Sequence, residues 1–215
     1  MTKITILGGT GYVGTAIAKE AAKRHYDVTS LSRSEPKEAT EGVRHEYGEA
    51  TDEAVLAKAV NGADAIVASL APRGELVGKI DSIYWPLAIQ AAEMGARFIV
   101  VGGFGSLRLD EGAPRVVDAG EFPPTFVAEA KEMATFLEKL QAKAPMSFDW
   151  LYVSPAEIFG AHAPGEARGT YRVSGEVAIH DDNGISAISG ADFATAIVDE
   201  IAHPAHHREH IGFAY

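Results

Sequence analysis

The chain has 215 residues, 47% of them hydrophobic and 23% charged, proportions of a globular protein with enough length for one substantial α/β core. Its formal net charge of −11 argues against non-specific nucleic-acid binding and against docking on an anionic membrane. It contains no cysteine, which removes disulfides, thiolate nucleophiles and cysteine metal sites. No apolar run approaches the length of a membrane span, and the first residues enter a strand without the basic and apolar regions of a signal peptide. A cytoplasmic protein is the expectation.

The first stretch carries most of the functional signal. Lys3 to Leu7 is a β-branched run suited to a buried strand, and it ends in glycines spaced Gly8-x-x-Gly11-x-x-Gly14. Residues 15–23 are rich in helix formers. Strand, glycine turn and helix is the setting in which this spacing means dinucleotide binding. Gly8 permits the tight turn, Gly11 admits a pyrophosphate, and Gly14 lets the helix pack on the strand. Thr10, Tyr12 and Val13 complete the cofactor-binding turn, and the helix start presents free N–H groups to phosphate.

Residues 27–31 read as a second strand, ending in Ser32, Arg33 and Ser34. An acid here would bind the ribose 2′-hydroxyl of NAD. An arginine between two serines fits a 2′-phosphate instead, so NADP(H) is expected over NAD(H). A third strand, 43–48, precedes Glu49 and Ala50, where an adenine ring could rest. Thr51 or Asp52 can cap a helix that runs to about Val60. A fourth strand, 63–69, brings Ser69, Leu70 and Ala71 beside the cofactor, because ligands bind outside the carboxyl ends of strands.

Residues 73–80 form a loop, and a helix follows to Met94. Tyr84 and Trp85 are read as packing residues of that helix, in preference to a stacking platform. The strand 97–101 is almost uninterruptedly apolar, the pattern of burial on both faces. It delivers Gly102, Gly103, Phe104, Gly105 and Ser106 to the carboxyl edge, with the first two glycines against the cofactor. Residues 107–124 are a long loop of the kind that is often functional. Phe126, Ala130, Met133, Leu137 and Leu140 recur at helical spacing, marking an amphipathic helix over 125–142. A sixth strand, 147–153, ends in Ser154 and Pro155, two further cofactor-binding candidates. Residues 160–175 and the turn at Asp182-Asn183-Gly184 predict an excursion with a small hairpin. Ser189 or Asp192 opens a last helix, and 211–215 closes as a strand. The pattern predicts a single doubly wound α/β domain over residues 1–215, with a mostly parallel sheet of about seven strands flanked by helices.

Several motifs appear together in order: residues 8–14, Val100-Val101-Gly102-Gly103-x-Gly105-Ser106-Leu107, Tyr152-Val153-Ser154-Pro155-Ala156, Pro164-Gly165-Glu166, Ile188-Ser189-x-x-Asp192-Phe193-Ala194, and His203-Pro204-Ala205-His206. Over essentially its whole length the chain resembles the atypical short-chain dehydrogenase/reductases of the NmrA-like group, in particular bacterial proteins assigned as NADH-flavin reductases. The resemblance implies a Rossmann domain that binds NAD(P)(H) and, in enzyme members, passes hydride to a flavin or quinone. One departure is visible. After Pro164-Gly165-Glu166 the family usually continues Arg-Thr-Gly, where this chain has Ala167-Arg168-Gly169.

Typical short-chain dehydrogenases use a tyrosine and a lysine four residues later on the helix after the fifth strand. This chain has Phe126 in that region, with Ala130 four residues on and Lys131 at five. Carbonyl reduction or sugar epimerisation by that mechanism is therefore not expected. Flavin reduction asks less, because hydride moves directly to the acceptor and stacking supplies most of the effect. Phe104, Ser106 and Phe159 are the candidates for the acceptor pocket and the chemistry, and Lys131 is a candidate for the nicotinamide ribose. His203, His206, His207 and His210 are read as a solvated terminal segment, with no metal site expected. The expected partner is a small-molecule acceptor, and the expected state a monomer or small homo-oligomer. The alternative is a non-catalytic NADP(H)-binding sensor of the NmrA-like regulatory type.

Overall fold

Strands β4 (Ala65–Ala68), β5 (Arg97–Val101) and β6 (Trp150–Pro155) are buried along their whole length, as strands covered on both faces must be. They form the centre of one eight-stranded sheet of order β3-β2-β1-β4-β5-β6-β8-β7, in a computed structural model that describes residues 1–36, 38–120 and 122–215. The remaining strands are β1 (Lys3–Leu7), β2 (Asp27–Ser32), β3 (Val43–Tyr47), β7 (Arg172–Ser174) and β8 (Glu209–Ala214). Every neighbouring pair is parallel except β7 with β8.

Side chains alternate across β1, and the two faces acquire separate cores. Ile4 and Ile6 join Ile17, Phe193 and Ile197 under α1 (Tyr12–Lys23) and α5 (Gly190–Ala202). On the other face Leu7 joins Tyr84, Phe98, Phe136 and Trp150 under α2 (Glu53–Val60), α3 (Ile80–Met94) and α4 (Pro124–Lys143). The strand order reverses between β1 and β4, so their carboxyl ends open the crevice where such sheets bind ligands.

The sheet has eight strands where the sequence predicts about seven. The additional one is β7, three residues in the glycine-rich excursion. Its partner is β8, with Arg172 opposite Ala214. The hairpin expected around Asp182-Asn183-Gly184 is only a turn, in which the Asp181 carboxylate accepts from the amides of Asn183 and Ile185 at 2.9 Å.

The helix ends show which backbone groups the sequence provides for locally. Asp52 caps α2 by accepting from Ala54 and Val55, and Ser189 caps α5 by accepting from Asp192. The residue before α3, Lys79, offers no side-chain cap. Glu132 of α4 substitutes, accepting from the amides of Gly78 and Ile80 at 2.8 Å.

At the amino end of the strands, Arg97 is the buried hub. It pairs with Asp149 at 3.0 Å and Glu200 at 3.1 Å and donates to the His206 carbonyl at 2.8 Å. Glu200 also accepts from the amides of Ala205 and His206 and lies 2.6 Å from His206 Nδ1. The tail histidines are thus separated: His206 faces Glu200, His207 faces Asp149 at 2.9 Å, and His210 is buried inside β8. Among the described residues no helix is long and apolar enough to cross a membrane.

Removing one partner of a buried ion pair leaves an uncompensated charge, whereas losing a cap loses one or two hydrogen bonds. Glu200→Ala should therefore lower unfolding free energy by about 3 kcal/mol, and Glu132→Ala by about 1 kcal/mol. Urea denaturation of the two variants checks the order.

Candidate functional site

The turn from β1 into α1 is built for close approach. Gly8 has φ +80, a conformation natural to glycine. A Cβ on Gly14 would stand 2.3 Å from the Gly8 carbonyl oxygen, so only glycine lets the helix begin there. Gly11, at the start of α1, offers no side-chain cap, and the first turn holds no acidic residue. Its first amides consequently lack the partners that Asp52 and Ser189 give α2 and α5, which leaves N–H groups of the kind that bind anions free at the carboxyl end of β1. Thr10 and Gly11 are exposed, whereas Val13 packs on the α1 and α5 core. The Tyr12 hydroxyl accepts from the Gly190 amide at 3.1 Å and donates to the Pro164 carbonyl at 3.2 Å. Its ring meets Phe159 edge-on at 5.6 Å.

Around the end of β2, the Ser32 hydroxyl donates to the Ser34 carbonyl at 2.8 Å, which fixes the turn that projects Arg33. The Arg33 guanidinium is 53% exposed and pairs with Glu75 at 3.1 Å. Ser34 and Glu49 are also exposed, while Ala50 is buried in the core beneath α2 and α3. At the end of β4, the Ser69 hydroxyl donates to the Leu7 carbonyl at 2.6 Å. The buried Tyr84 hydroxyl pins Leu70 twice, accepting from its amide at 2.7 Å and donating to its carbonyl at 3.0 Å. Ala71 continues that half-buried turn. Trp85 packs against the same core beneath the Lys139 ammonium, so both aromatics of α3 are packing residues.

The turn after β5 is fastened from behind by polar groups that sequence reading did not connect. Ser154 donates to the Gly103 carbonyl at 2.9 Å, and Arg115 donates to the Ser106 carbonyl at 2.5 Å. The Ser106 hydroxyl lies 3.0 Å from that of Tyr152, which donates on to the Met133 carbonyl at 3.2 Å. Burial pushes the Tyr152 phenol well above its ordinary range. Ser154 Oγ also lies 2.9 Å from His210 Nε2. Because the Ser154 proton goes to Gly103, Nε2 must carry the proton of the second bond, and Nδ1 is left bare. That agrees with Nδ1 having no hydrogen-bond partner, at 3.7 Å from Glu176. Burial lowers the His210 pKa. Hydrogen bonds from Arg108 at 2.9 Å and Gln141 at 2.8 Å, with the Arg115 charge beside them, hold Glu176 well below the carboxylate range.

This network corrects one expectation. Ser106 is 1% exposed and its hydroxyl is turned into the core, so it cannot line an open acceptor pocket. Ser154 and Pro155 are buried as well, and the Ser154 hydroxyl is already committed to Gly103 and His210. Phe104 and Phe159 remain half-exposed at the carboxyl edge. Lys131, with its side chain 58% exposed, pairs with Asp118 at 3.8 Å. Phe126 is exposed on α4 beneath the Arg73 guanidinium. The residues missed were Tyr152 as a tether, His210, Glu176 and Arg115. Their partners lie 9 to 61 residues away in sequence, and no local pattern links them. A separate recess of about 60 Å³ lies at the opposite end of the strands, where Arg44 pairs with Asp27 and Lys58 with Glu46.

Residues 8–204 match the model of an NAD(P)H-binding family, and the chain belongs to that family. It is 32% identical over 209 residues to the uncharacterised protein YwnB of Bacillus subtilis, covering 96% of this chain and 95% of that one. The structure is similar to a Streptococcus pneumoniae protein provisionally named an NADH-flavin reductase, at 31% identity and a TM-score of 0.80 over 100% of this chain and 99% of the other. It is also similar to a Bacteroides thetaiotaomicron protein provisionally named an epimerase, at 30% identity and a TM-score of 0.86 over 100% and 97%. Fold and family make this an NAD(P)H-binding protein of the oxidoreductase-like Rossmann class.

Two adjacent glycines separate structural need from open space. A Cβ on Gly102 would stand 2.1 Å from the Tyr152 ring, whereas one on Gly103 would meet nothing within 4 Å. Gly102→Ala should cost about 2 kcal/mol, as overpacking does, and Gly103→Ala should change stability by less than about 0.5 kcal/mol. Thermal melts of the two variants check the contrast, and a loss of NAD(P)H affinity in the stable Gly103→Ala variant would report space used by the ligand.

Proposed function

We propose that this protein is an NADPH-dependent reductase that passes hydride to a flavin or quinone acceptor without a protein acid. The observation that carries the reading is the carboxyl edge itself. The uncapped start of α1 follows the carboxyl end of β1, and on the same edge β5 ends in a turn, 102–106, whose hydroxyl is spent inside the core. The cofactor fits the residues present. A Cβ on Gly11 would meet only the Gly8 carbonyl oxygen, at 3.2 Å, and the space beside Gly103 is open. NADPH bound there supplies a hydride, and water supplies the proton that completes reduction of a flavin.

In this reading Thr10, Tyr12, Val13 and Gly14 hold the pyrophosphate through backbone amides, while Gly8 and Gly11, whose amides donate to the Leu31 and Gly8 carbonyls at 2.9 Å, shape the turn around it. Ser32, Arg33 and Ser34 take the 2′-phosphate, with Arg33 exchanging Glu75 for the stronger acceptor. Glu49 borders the adenine, with Ala50 turned into the core behind it. Ser69, Leu70, Ala71, Gly102 and Gly103 border the nicotinamide half, supported from below by Ser154 and Pro155. Phe104 and Phe159 wall the acceptor and exclude water. Lys131 would reach a ribose only by leaving Asp118. Phe126 in place of a tyrosine supports a direct transfer and disfavours epimerisation through a protein acid, although one structural relative carries the name epimerase. The reductase name of another relative agrees with the reading. The proposed setting is the cytoplasm, where NADPH is available.

The deciding experiment is NADPH oxidation followed with FMN, riboflavin and a quinone in turn. Cofactor binding with no turnover of any of them would overturn the reductase reading in favour of the sensor.

Two outcomes are expected in detail. Arg33→Ala should weaken NADPH binding by about 1.5 kcal/mol and leave NADH nearly unaffected. Glu75→Gln, which frees Arg33 from an exposed pair, should tighten NADPH by up to about 1 kcal/mol. Calorimetry with both cofactors reads the two variants. For the chemistry, burial holds the Tyr152 pKa above its ordinary value and the His210 pKa below its own, and Glu176 is held ionised. None of the three changes protonation between pH 7 and 9, so kcat should be flat there, and Phe104→Ala should raise KM for flavin with NADPH affinity kept. A single protein pKa within that window would contradict the mechanism.

A further inference from the structure

Beyond the end of β6, residues 158–168 fold back over the tip of β8 and enclose a cavity of about 330 Å³. That is the lower end of the size range of small-molecule sites. Ile158, Ala163 and Ile188 give it apolar walls, while Tyr215 and Arg168 form one side. Ile158 is 47% exposed and lies three residues beyond Pro155, so the cavity opens on the same edge of the sheet as the glycine turns.

The Arg168 side is rigidly built. Asp192, 3% exposed, accepts from the backbone amides of Arg168 at 2.7 Å and Gly169 at 3.0 Å. The same carboxylate accepts from the Tyr215 hydroxyl at 2.5 Å and from Ser189 at 3.0 Å. Burial alone would raise the Asp192 pKa, and the hydrogen bonds from Tyr215, Arg168, Ser189 and Gly169 hold it below the ordinary carboxylate value. One ionised acid therefore fixes both the loop that bears Arg168 and the ring on which Arg168 rests. The guanidinium stacks 3.8 Å from the Tyr215 ring centroid. Among the described residues it makes no ion pair or side-chain hydrogen bond, unlike Arg33, Arg73, Arg97 and Arg108, which all face carboxylates. Stacking on an aromatic face leaves the edge of the guanidinium, with its fork of N–H donors, open to a planar or tetrahedral anion. Glu166 also borders the cavity, and its carbonyl lies 3.0 Å from the Tyr215 hydroxyl, whose proton goes to Asp192.

We propose that this cavity holds the phosphate-bearing end of the hydride acceptor, with Arg168 as the anion-binding residue, so that the acceptor is a flavin phosphate monoester of the FMN kind. The proposal rests on the reductase reading and narrows it. An apolar wall beside a preplaced arginine suits a ligand that is flat and apolar at one end and doubly anionic at the other. The uncharged riboflavin would leave the fork unused.

The test compares FMN with riboflavin, by quenching of flavin fluorescence without NADPH and by steady-state turnover with it. Wild type should bind FMN about tenfold more tightly than riboflavin, the scale of a charge-assisted hydrogen bond at a half-open site. Arg168→Ala should erase that preference through FMN alone, raising its Kd and KM about tenfold, while riboflavin, which does not engage the fork, binds as before. Arg168→Lys should keep part of it, because charge survives while the fork is lost. The preference should also shrink as salt rises. Arg168 is exposed, and a melting temperature within a degree or two of wild type confirms that the variants fold. Equal affinity for the two flavins in wild type, or equal losses for both in Arg168→Ala, overturns the site. Turnover of both flavins with no dependence on Arg168 leaves the reductase reading standing without it. FMN binding that depends on Arg168 with no turnover does the reverse.

Discussion

The contact between Gly14 and the carbonyl of Gly8 sets the geometry on which the binding edge depends. Where a Cβ would stand 2.3 Å from that oxygen, any side chain would push α1 away from the end of β1. The helix would then lose its packing of Ile17 and Ala18 against Ile4 and Ile6, and its first amides would leave the crevice. Close packing and anion binding are in this way one requirement. The uncapped helix start has the same logic, since a side-chain cap would compete with a phosphate for the same N–H groups.

A second constraint is that the carboxyl-edge turns are held from below by buried polar groups. Tyr84 pins Leu70, Tyr152 pins Ser106, and Ser154 with His210 pins Gly103. Hydrogen bonds in a low-dielectric interior are strong, and leaving one unmade is costly. Such groups give a loop the rigidity of the sheet. They also explain why the turn after β5 presents mostly backbone and Phe104 to the outside. Its hydroxyl faces inward because Tyr152, itself bonded to the Met133 carbonyl, gives it a partner there.

The overall charge is −11, yet the proposed ligands are anions. The structure resolves this locally. Positive groups stand at the carboxyl edge: Arg33 at one end, Arg168 at the other, with the α1 amides between. Over distances beyond about 10 Å salt screens the net charge, so the near groups decide binding. The Arg33–Glu75 pair, exposed on both sides, is the kind that exchanges partners at little cost.

The sequence by itself determined the alternation of elements, most boundaries and the dinucleotide turn, because each rests on local physics. β-branched runs, helical periodicity, caps such as Asp52 and Ser189, and glycine spacing act within about ten residues. Even β5, apolar in all but Arg97, announces its own burial. Tertiary structure alone decided where hydroxyls and charges go. Ser106 reads as a site residue beside three glycines, and only the ring of Tyr152, 46 residues on, turns it inward. β7 is legible only through β8, whose pairing places Arg172 opposite Ala214, and α3 has no cap until Glu132 of α4 arrives. Arg168 stacks on Tyr215 because Asp192 holds both. A sequence states each partner's chemistry, but which partners meet is fixed by how the sheet faces and their helices close over one another.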